Sequence, residues 1–301
     1  MTHKRFKIAI LINYAAHSGR AKKNWQNIEG EILRLLPEKP EIISFQPPFE
    51  IQKSLKNLIE NQSVNCIISA GGDGTVNHIL NALMNLENVD LPNIYLGGIG
   101  LGSSNDFVKP VNGLVRGLPL RLDFEKAILS DLGKVSFISE DGLEKSRYFI
   151  ANASLGVTAE ANLLFNKAGG IIHLLKDRFT NLAIILAALQ TIFTFKNYKV
   201  KLNYDAVEKQ ARLSNLAILK NPHVSGDFKY DQPILANDGN LGFNLCENMS
   251  RLELIKTLWD LSKGRFSGKP KRHSLFIQTA KVKTEHIVAL ETDGEVFLAK
   301  D

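Results

Sequence analysis

Four short apolar runs mark the first hundred residues: KIAILI (7–12), EIISF (41–45), VNCIISA (64–70) and NIYLGGI (93–99). Between them the apolar positions change period. Trp25, Ile28, Ile32, Leu35 and Leu36 fall on one face of a predicted helix, and IQKSLKNLIEN (51–61) repeats at the same spacing after a break at Pro47-Pro48. Val76, Ile79, Leu80, Leu83 and Met84 align on a third helix. Period 2 or continuous burial reads as strand and period 3.6 as helix. Strands alternating with helices predict a parallel sheet covered on both faces.

From about residue 130 the rhythm becomes one of strands and tight turns. DLGKVSFIS, EKSRYFIANASLG, KNYKVKLNYD, ARLSNLAILKN, GNLGFNLCEN, KRHSLFIQTAKVKTE and HIVALETDGEVF are punctuated by Gly, Asn and Asp at hairpin intervals. One helical stretch, roughly 158–195, interrupts them. The chain therefore reads as an α/β nucleotide-binding domain over 1–128 and a β-rich, sandwich-like domain over 129–301. The last residues are free to pack back on the first domain. No internal repeat or low-complexity linker is visible.

Composition changes this picture little. The 301 residues are 44% hydrophobic and 23% charged, ordinary globular values. A formal net charge of +6 suits anionic partners such as nucleotides or lipid headgroups without choosing among them. The two cysteines, Cys66 and Cys246, lie in apolar runs and read as small buried hydrophobes. The apolar part of the N-terminal segment is short, as for a strand and not a signal peptide. LAIILAALQTIF falls short of the roughly 20 residues that span a bilayer. A cytoplasmic protein is expected, with peripheral membrane contact open.

Candidate chemistry begins at Gly71-Gly72-Asp73-Gly74-Thr75, where a strand ends and a helix begins. Glycines let backbone N–H groups approach phosphate oxygens, and a helix N-terminus favours negative charge. A carboxylate among them repels phosphate unless a cation intervenes, and Mg²⁺ is suited to one or two carboxylates plus phosphate oxygens. A nucleoside triphosphate with its metal, the substrate of phosphoryl transfer, answers both features. A plain tight turn is the bland alternative. The Walker pattern is absent, and in GGIGLGSSN Ser103 stands where a dinucleotide fingerprint needs its last glycine. Neither a nucleophile elbow nor a His/Cys metal spacing is present, His78 and His173 standing alone. No basic stripe interleaved with aromatics points to nucleic acid.

Six segments in order carry a resemblance: LINYAAHSGRAKKNW, AGGDGTVNHILNAL, GIGLGSSNDF, FIANASLGVTAEA, ILANDGNLGFNL and ETDGEVF. Together they resemble the diacylglycerol kinase catalytic-domain family of bacterial lipid kinases and sphingosine kinases, itself similar in fold to NAD kinase and phosphofructokinase. The resemblance implies an ATP- and Mg²⁺-dependent lipid kinase with a diacylglycerol-like acceptor and an active site in the interdomain cleft. It implies that Asn13, Gly71, Gly72, Asp73, Gly74, Thr75, Val76, Asn77, His78, Gly102, Ser103, Asn105 and Asp106 surround the nucleotide. Ser44 is a further nucleotide position. Glu295 would be the proton acceptor and Asp73 would position metal and γ-phosphate. Leu235 and Asn240 through carbonyls, with the Asp238 carboxylate, would hold a structural Mg²⁺; an Asn-Asp-Gly turn explains the same residues without metal.

Three positions depart from the family pattern: Gly100 replaces a proline, Ser103 a threonine, and a single Gly226 stands where consecutive glycines are usual. The acceptor is the part these departures touch. An NAD kinase-like enzyme and a catalytically decayed binding protein stay open as alternatives, although Asn105-Asp106-Phe107 replaces the Asn-Glu pair of NAD kinases. The basic run KGRFSGKPKRH (263–273), with Lys263, Arg265, Lys269, Lys271 and Arg272, is either a contact for anionic membrane or a solvated loop. The helical stretch is either one wall of a lipid-chain pocket or ordinary core. The sequence is silent on oligomeric state.

Overall fold

The computed structural model describes residues 5–45, 51–167 and 180–300. The Pro47-Pro48 break, and GGIIHLL with His173, lie outside the described residues. The chain divides into two compact units, residues 1–129 and 130–301.

Unit one opens with β1 (Ile8–Asn13), α1 (Arg20–Leu35), β2 (Glu41–Phe45), α2 (Ile51–Lys56), β3 (Cys66–Gly71), α3 (Asp73–Met84) and β4 (Tyr95–Gly100). It closes with β5 (Gly113–Val115) and β6 (Leu118–Arg121). Its sheet runs β2-β1-β3-β4-β6-β5, with the first four strands parallel and β6 antiparallel to β4. β1 and β3 are buried along their whole length because helices cover both faces. Ile8, Ile10 and Ile12 pack with Trp25, Ile28 and Ile32 of α1. Ala9 and Leu11 face the other way, toward Ile51 and Leu55 of α2 and Ile79 and Leu83 of α3. Leu35 corrects the predicted α1 face: it is 56% exposed, and the chain turns extended at Leu36.

Unit two contains β7 (Gly133–Ser139), β8 (Glu144–Phe149), β9 (Asn152–Gly156), α4 (Val157–Lys167), α5 (Thr180–Thr194), β10 (Tyr198–Tyr204) and β11 (Val207–Leu219). Then come β12 (His223–Val224), β13 (Phe228–Lys229), β14 (Leu241–Glu247), α6 (Arg251–Ser262), β15 (Arg272–Ile277), β16 (Ala280–Thr284), β17 (Val288–Thr292) and β18 (Glu295–Lys300). Its large sheet is antiparallel and runs β15-β14-β11-β9-β17-β18-β7-β8, with β10 beside the first half of β11 and β16 beside β10. β11 serves both parts: its early residues pair with β10, and Asn215–Leu219 pair with β9 after a bulge at Ser214. The expected β-rich, sandwich-like domain is therefore present. It also carries a helix the apolar pattern did not suggest, α6, started by a Ser250–Glu253 capping box.

Candidate functional site

In unit one the strand order reverses between β1 and β3, with α1 on one face and α2 and α3 on the other. Open α/β sheets bind ligands beyond the carboxyl ends of their strands at such a point. Asn13 ends β1, Gly71 ends β3 and Gly100 ends β4; Ser44 is paired with Ile12 near the end of β2 and is exposed.

The two glycine loops interlock. Leu101 N donates to Gly71 O at 2.8 Å. A Cβ on Gly102 would stand 2.2 Å from the Gly72 Cα, so the two backbones meet with no space for a side chain. Asn105, in the left-handed region at φ 55°, folds its amide back: Oδ1 accepts from Gly102 N at 2.9 Å and Nδ2 donates to Gly102 O at 3.0 Å. The side chain of Asp73 ties one loop to the other, Oδ1 accepting from Phe107 N at 2.8 Å. Burial pushes its carboxyl above the ordinary range, opposed by the Phe107 and Asp106 N–H groups and by Lys109. Asp106 is paired with Lys109 Nζ at 2.8 Å. Asn13 Nδ2 donates to Thr75 Oγ1 at 3.1 Å, locking the end of β1 to the first turn of α3.

The N-cap of α3 is Gly72, which has no side chain to cap the first N–H groups. That leaves a helix start of the kind that accepts an anion. Of the expected nucleotide positions, Val76 and Asn77 turn their side chains into the protein. Both side chains are buried, Val76 N already donates to Gly72 O at 3.1 Å, and Asn77 Oδ1 accepts from Asn81 Nδ2 at 3.1 Å. His78 lies flat against Phe45, ring centroids 6.2 Å apart. Gly100 in place of proline has a local reason. Even a Cβ there would meet Pro119 Cγ at 2.7 Å, so Pro119 occupies the space a proline ring would need.

In unit two, Asp293-Gly294 forms a two-residue hairpin turn, both φ positive at 47° and 89°, the Asp-Gly geometry of a tight β-hairpin. Glu295 follows it and is exposed. The tip is held firmly. The Asp293 carboxylate accepts from the N–H groups of Ile150, Ala151 and Asn152, each at 2.9 Å. Buried Glu291 accepts from Gly294 N at 2.6 Å through Oε1 and from Ser154 Oγ at 2.6 Å through Oε2.

Ser154 and Asn152 also line an apolar cavity that opens to solvent. Its walls come from α4, α5, α6 and the β12–β13 hairpin, among them Phe165, Ile184, Ile192, Phe228, Leu254 and Leu258. Ser225, next to the lone Gly226, lines it as well. The segment that departs from the family pattern thus shapes this cavity. Glu291 opens the segment ETDGEVF, but the motif does not mark it for this role, and its further trace in sequence is an acid at an inward position of a strand.

The turn expected to hold a structural metal is filled differently. The Lys220 ammonium donates to Leu235 O at 3.0 Å and Asn240 O at 2.9 Å, and lies 3.4–3.5 Å from Asp131 Oδ2 and Asp238 Oδ1. The three residues named for the metal do converge, but around this buried cation. Among the described residues no group of three or more His, Cys, Asp or Glu is placed to hold a metal.

The basic run 263–273 is also less free than its composition implies. Arg272 is buried in β15 and paired with Asp260 at 2.8 Å, and Lys271 bonds Glu253 at 2.8 Å. Lys263, Arg265 and Lys269 are exposed. Lys263 lies over the ring of Trp259, itself 66% exposed. Cys66 and Cys246 are buried, and burial pushes both thiols up to about 12. No described helix is long and apolar enough to cross a membrane.

Residues 7–134 match the diacylglycerol kinase catalytic domain, and residues 151–299 match the YegS C-terminal NAD kinase beta sandwich-like domain. A diacylglycerol kinase of Bacillus subtilis is 26% identical over 231 residues, 76% of this chain and 70% of the relative. One of Staphylococcus carnosus is 25% identical, covering 87% of this chain and 83% of the relative. In two other staphylococcal relatives the chain spans only 58% and 65% of their length. The crystal structure of a diacylglycerol kinase from Bacillus anthracis superposes with a TM-score of 0.64 at 15% identity, covering 98% of this chain and 94% of that one. At that identity the match speaks for the fold.

Proposed function

Since the chain belongs to the diacylglycerol kinase catalytic-domain family, we propose that it transfers the γ-phosphate of ATP, with Mg²⁺, to the hydroxyl of a diacylglycerol-like lipid. The observation that carries the lipid acceptor is the linkage in unit two between apolar cavity and hairpin. The cavity wall residue Ser154 bonds Glu291, Glu291 bonds Gly294, and Gly294 adjoins Glu295. An acyl chain needs a groove of this composition, and a soluble acceptor such as NAD does not.

The nucleotide end of the reading rests on unit one. Gly72 and Gly74 offer backbone N–H groups, and Thr75 a hydroxyl, at the start of α3, where anionic oxygens are favoured. Gly102 lets the second loop approach closely, and Asn105 holds it. The donor chemistry fits a hard cation: a carboxylate, Asp73, beside an uncapped helix start made for phosphate oxygens. Mg²⁺ bound there would neutralise charge on the transferring phosphoryl group. Asp73 is a positioning residue whose orientation is set by Phe107 N.

Glu295 is assigned the proton. A lipid hydroxyl is too weak an acid to ionise beforehand, so the Glu295 carboxylate orients it and accepts its proton late in the transfer. Asp293 and Glu291 hold the turn that precedes Glu295, which confines its position.

ADP release measured over diacylglycerol vesicles, a sphingoid base, phosphatidylglycerol and NAD tests the proposal. Diacylglycerol-dependent release is the expected result. Release with NAD alone would replace the acceptor, and no release with any acceptor would return the chain to a nucleotide- or lipid-binding role.

A further inference from the structure

We propose that the Lys220 ammonium is a resident internal cation that makes the 235–240 turn independent of metal. The expectation was a structural Mg²⁺ between the carbonyls of Leu235 and Asn240 and the carboxylate of Asp238. The same oxygens are gathered about Lys220 Nζ, at 3.0, 2.9 and 3.5 Å, with Asp131 Oδ2 adding a fourth at 3.4 Å. Those lengths belong to ammonium hydrogen bonds. A divalent cation draws its oxygens to about 2.0–2.6 Å, and two cations cannot share one small oxygen cage. Lys220 has three donors and no acceptor, which matches a shell made only of oxygens.

The placement is built into the fold. Lys220 follows the last residue of β11, and its own N–H donates to Ala151 O at 2.8 Å, which fixes the stem. Its side chain is 1% exposed. The cage joins three distant pieces of unit two. Asp131 N donates to Ala236 O at 2.7 Å, and Gly239 N donates to Asp131 Oδ2 at 2.8 Å. Asp238 Oδ1 accepts from Asn240 N at 3.1 Å, closing the turn on itself and, as the main cause, holding its carboxyl below the ordinary range. The ammonium balances two carboxylates and two carbonyl dipoles that would otherwise face each other. A metal does this only when present in solution; the lysine is part of the chain.

The inference does not rest on the kinase reading, and its test is thermal. Without nucleotide, the unfolding temperature of the wild type should be the same in chelator as in millimolar Mg²⁺ or Ca²⁺. Lys220→Met removes one partner of a buried ionic cluster, so its midpoint should fall by on the order of 10 °C in chelator. Ca²⁺ or Mg²⁺ should then raise it by several degrees, and Asp238→Asn added to Lys220→Met should abolish that rise. A wild-type midpoint that rises with metal and loses the rise in Asp238→Asn would overturn the proposal. So would a folded Lys220→Met protein indifferent to every divalent cation. Should Lys220→Met fail to fold, calorimetric titration of Ca²⁺ into wild type and Asp238→Asn decides. Equal heats support the resident lysine, and heat lost in Asp238→Asn refutes it.

Discussion

Gly102→Ala is the sharpest probe of the nucleotide end. The added methyl carbon would lie 2.2 Å from the Gly72 Cα and 3.0 Å from Asn105 Oδ1. Ordinary carbon contacts need about 3.5–4.0 Å, so the loops must separate by more than about 1 Å. Backbone stands on the other side, and no rotamer can absorb the overlap. The bonds that give way are Leu101 N to Gly71 O and the paired Asn105–Gly102 contacts, which together set the spacing of the loops. A misplacement of about 1 Å in positioning groups can cost on the order of 100-fold in rate. Overpacking costs about 1–3 kcal/mol of stability, which leaves the unit folded. Steady-state ADP release with ATP varied, together with calorimetric ATP binding, should show weakened affinity and kcat/KM reduced about 100-fold. Unchanged ATP affinity and turnover in a folded Gly102→Ala protein would refute the argument that interlocked glycines form the phosphate cradle.

Three further outcomes follow from unit two. Glu295→Gln keeps size and exposure but cannot accept a proton. Turnover should drop by about 10²–10⁴-fold with ATP affinity and melting temperature unchanged, and full lipid phosphorylation would remove Glu295 as base. Ala188→Phe places a ring in the apolar cavity from α5. It should raise the apparent KM for long-chain diacylglycerol far more than for a short-chain analogue, and equal effects on both would detach the cavity from the acceptor. Replacing exposed Lys263 and Lys269 together with Gln should weaken binding to anionic vesicles by roughly 30-fold at low salt and leave neutral vesicles unaffected. Identical vesicle binding would make this segment a solvated loop.

The architecture was legible where burial is complete or alternation strict. IAILIN and CIISAG announce buried parallel strands because both their faces are covered. Val200 and Leu202 alternate with lysines along β10 and announce a half-buried one. α6 was missed although its capping box, Ser250 with Glu253, is written in the sequence. Its Leu252 and Trp259 are 79% and 66% exposed, and outward apolar residues blur the stripe that marks a helix. The two glycine loops were legible because closely approaching backbone admits only glycine. The cavity was not, since its walls are drawn from residues 152 to 261 and each wall residue alone resembles ordinary core. Nor was the cage of Lys220, whose oxygen partners lie 15, 18, 20 and 89 residues away.

Lys220 and Arg272 together change how the basic character of this chain bears on function. Counted in sequence, both join the excess that suits an anionic partner. In the fold each is buried and matched to acids of its own unit, Lys220 to Asp131 and Asp238, and Arg272 to Asp260. A charge held within a few ångströms of its counter-charge projects little field beyond a Debye length of about 8 Å. What unit two can offer an anionic surface from the basic run therefore reduces to Lys263, Arg265 and Lys269, beside the exposed Trp259. This is a smaller and more local patch than KGRFSGKPKRH suggests. It lies just past α6, whose Leu254, Leu258 and Leu261 line the apolar cavity. Attraction of this patch to a lipid surface would thus act on the helix that forms a wall of the proposed acyl site, a coupling that neither composition nor motif could have indicated.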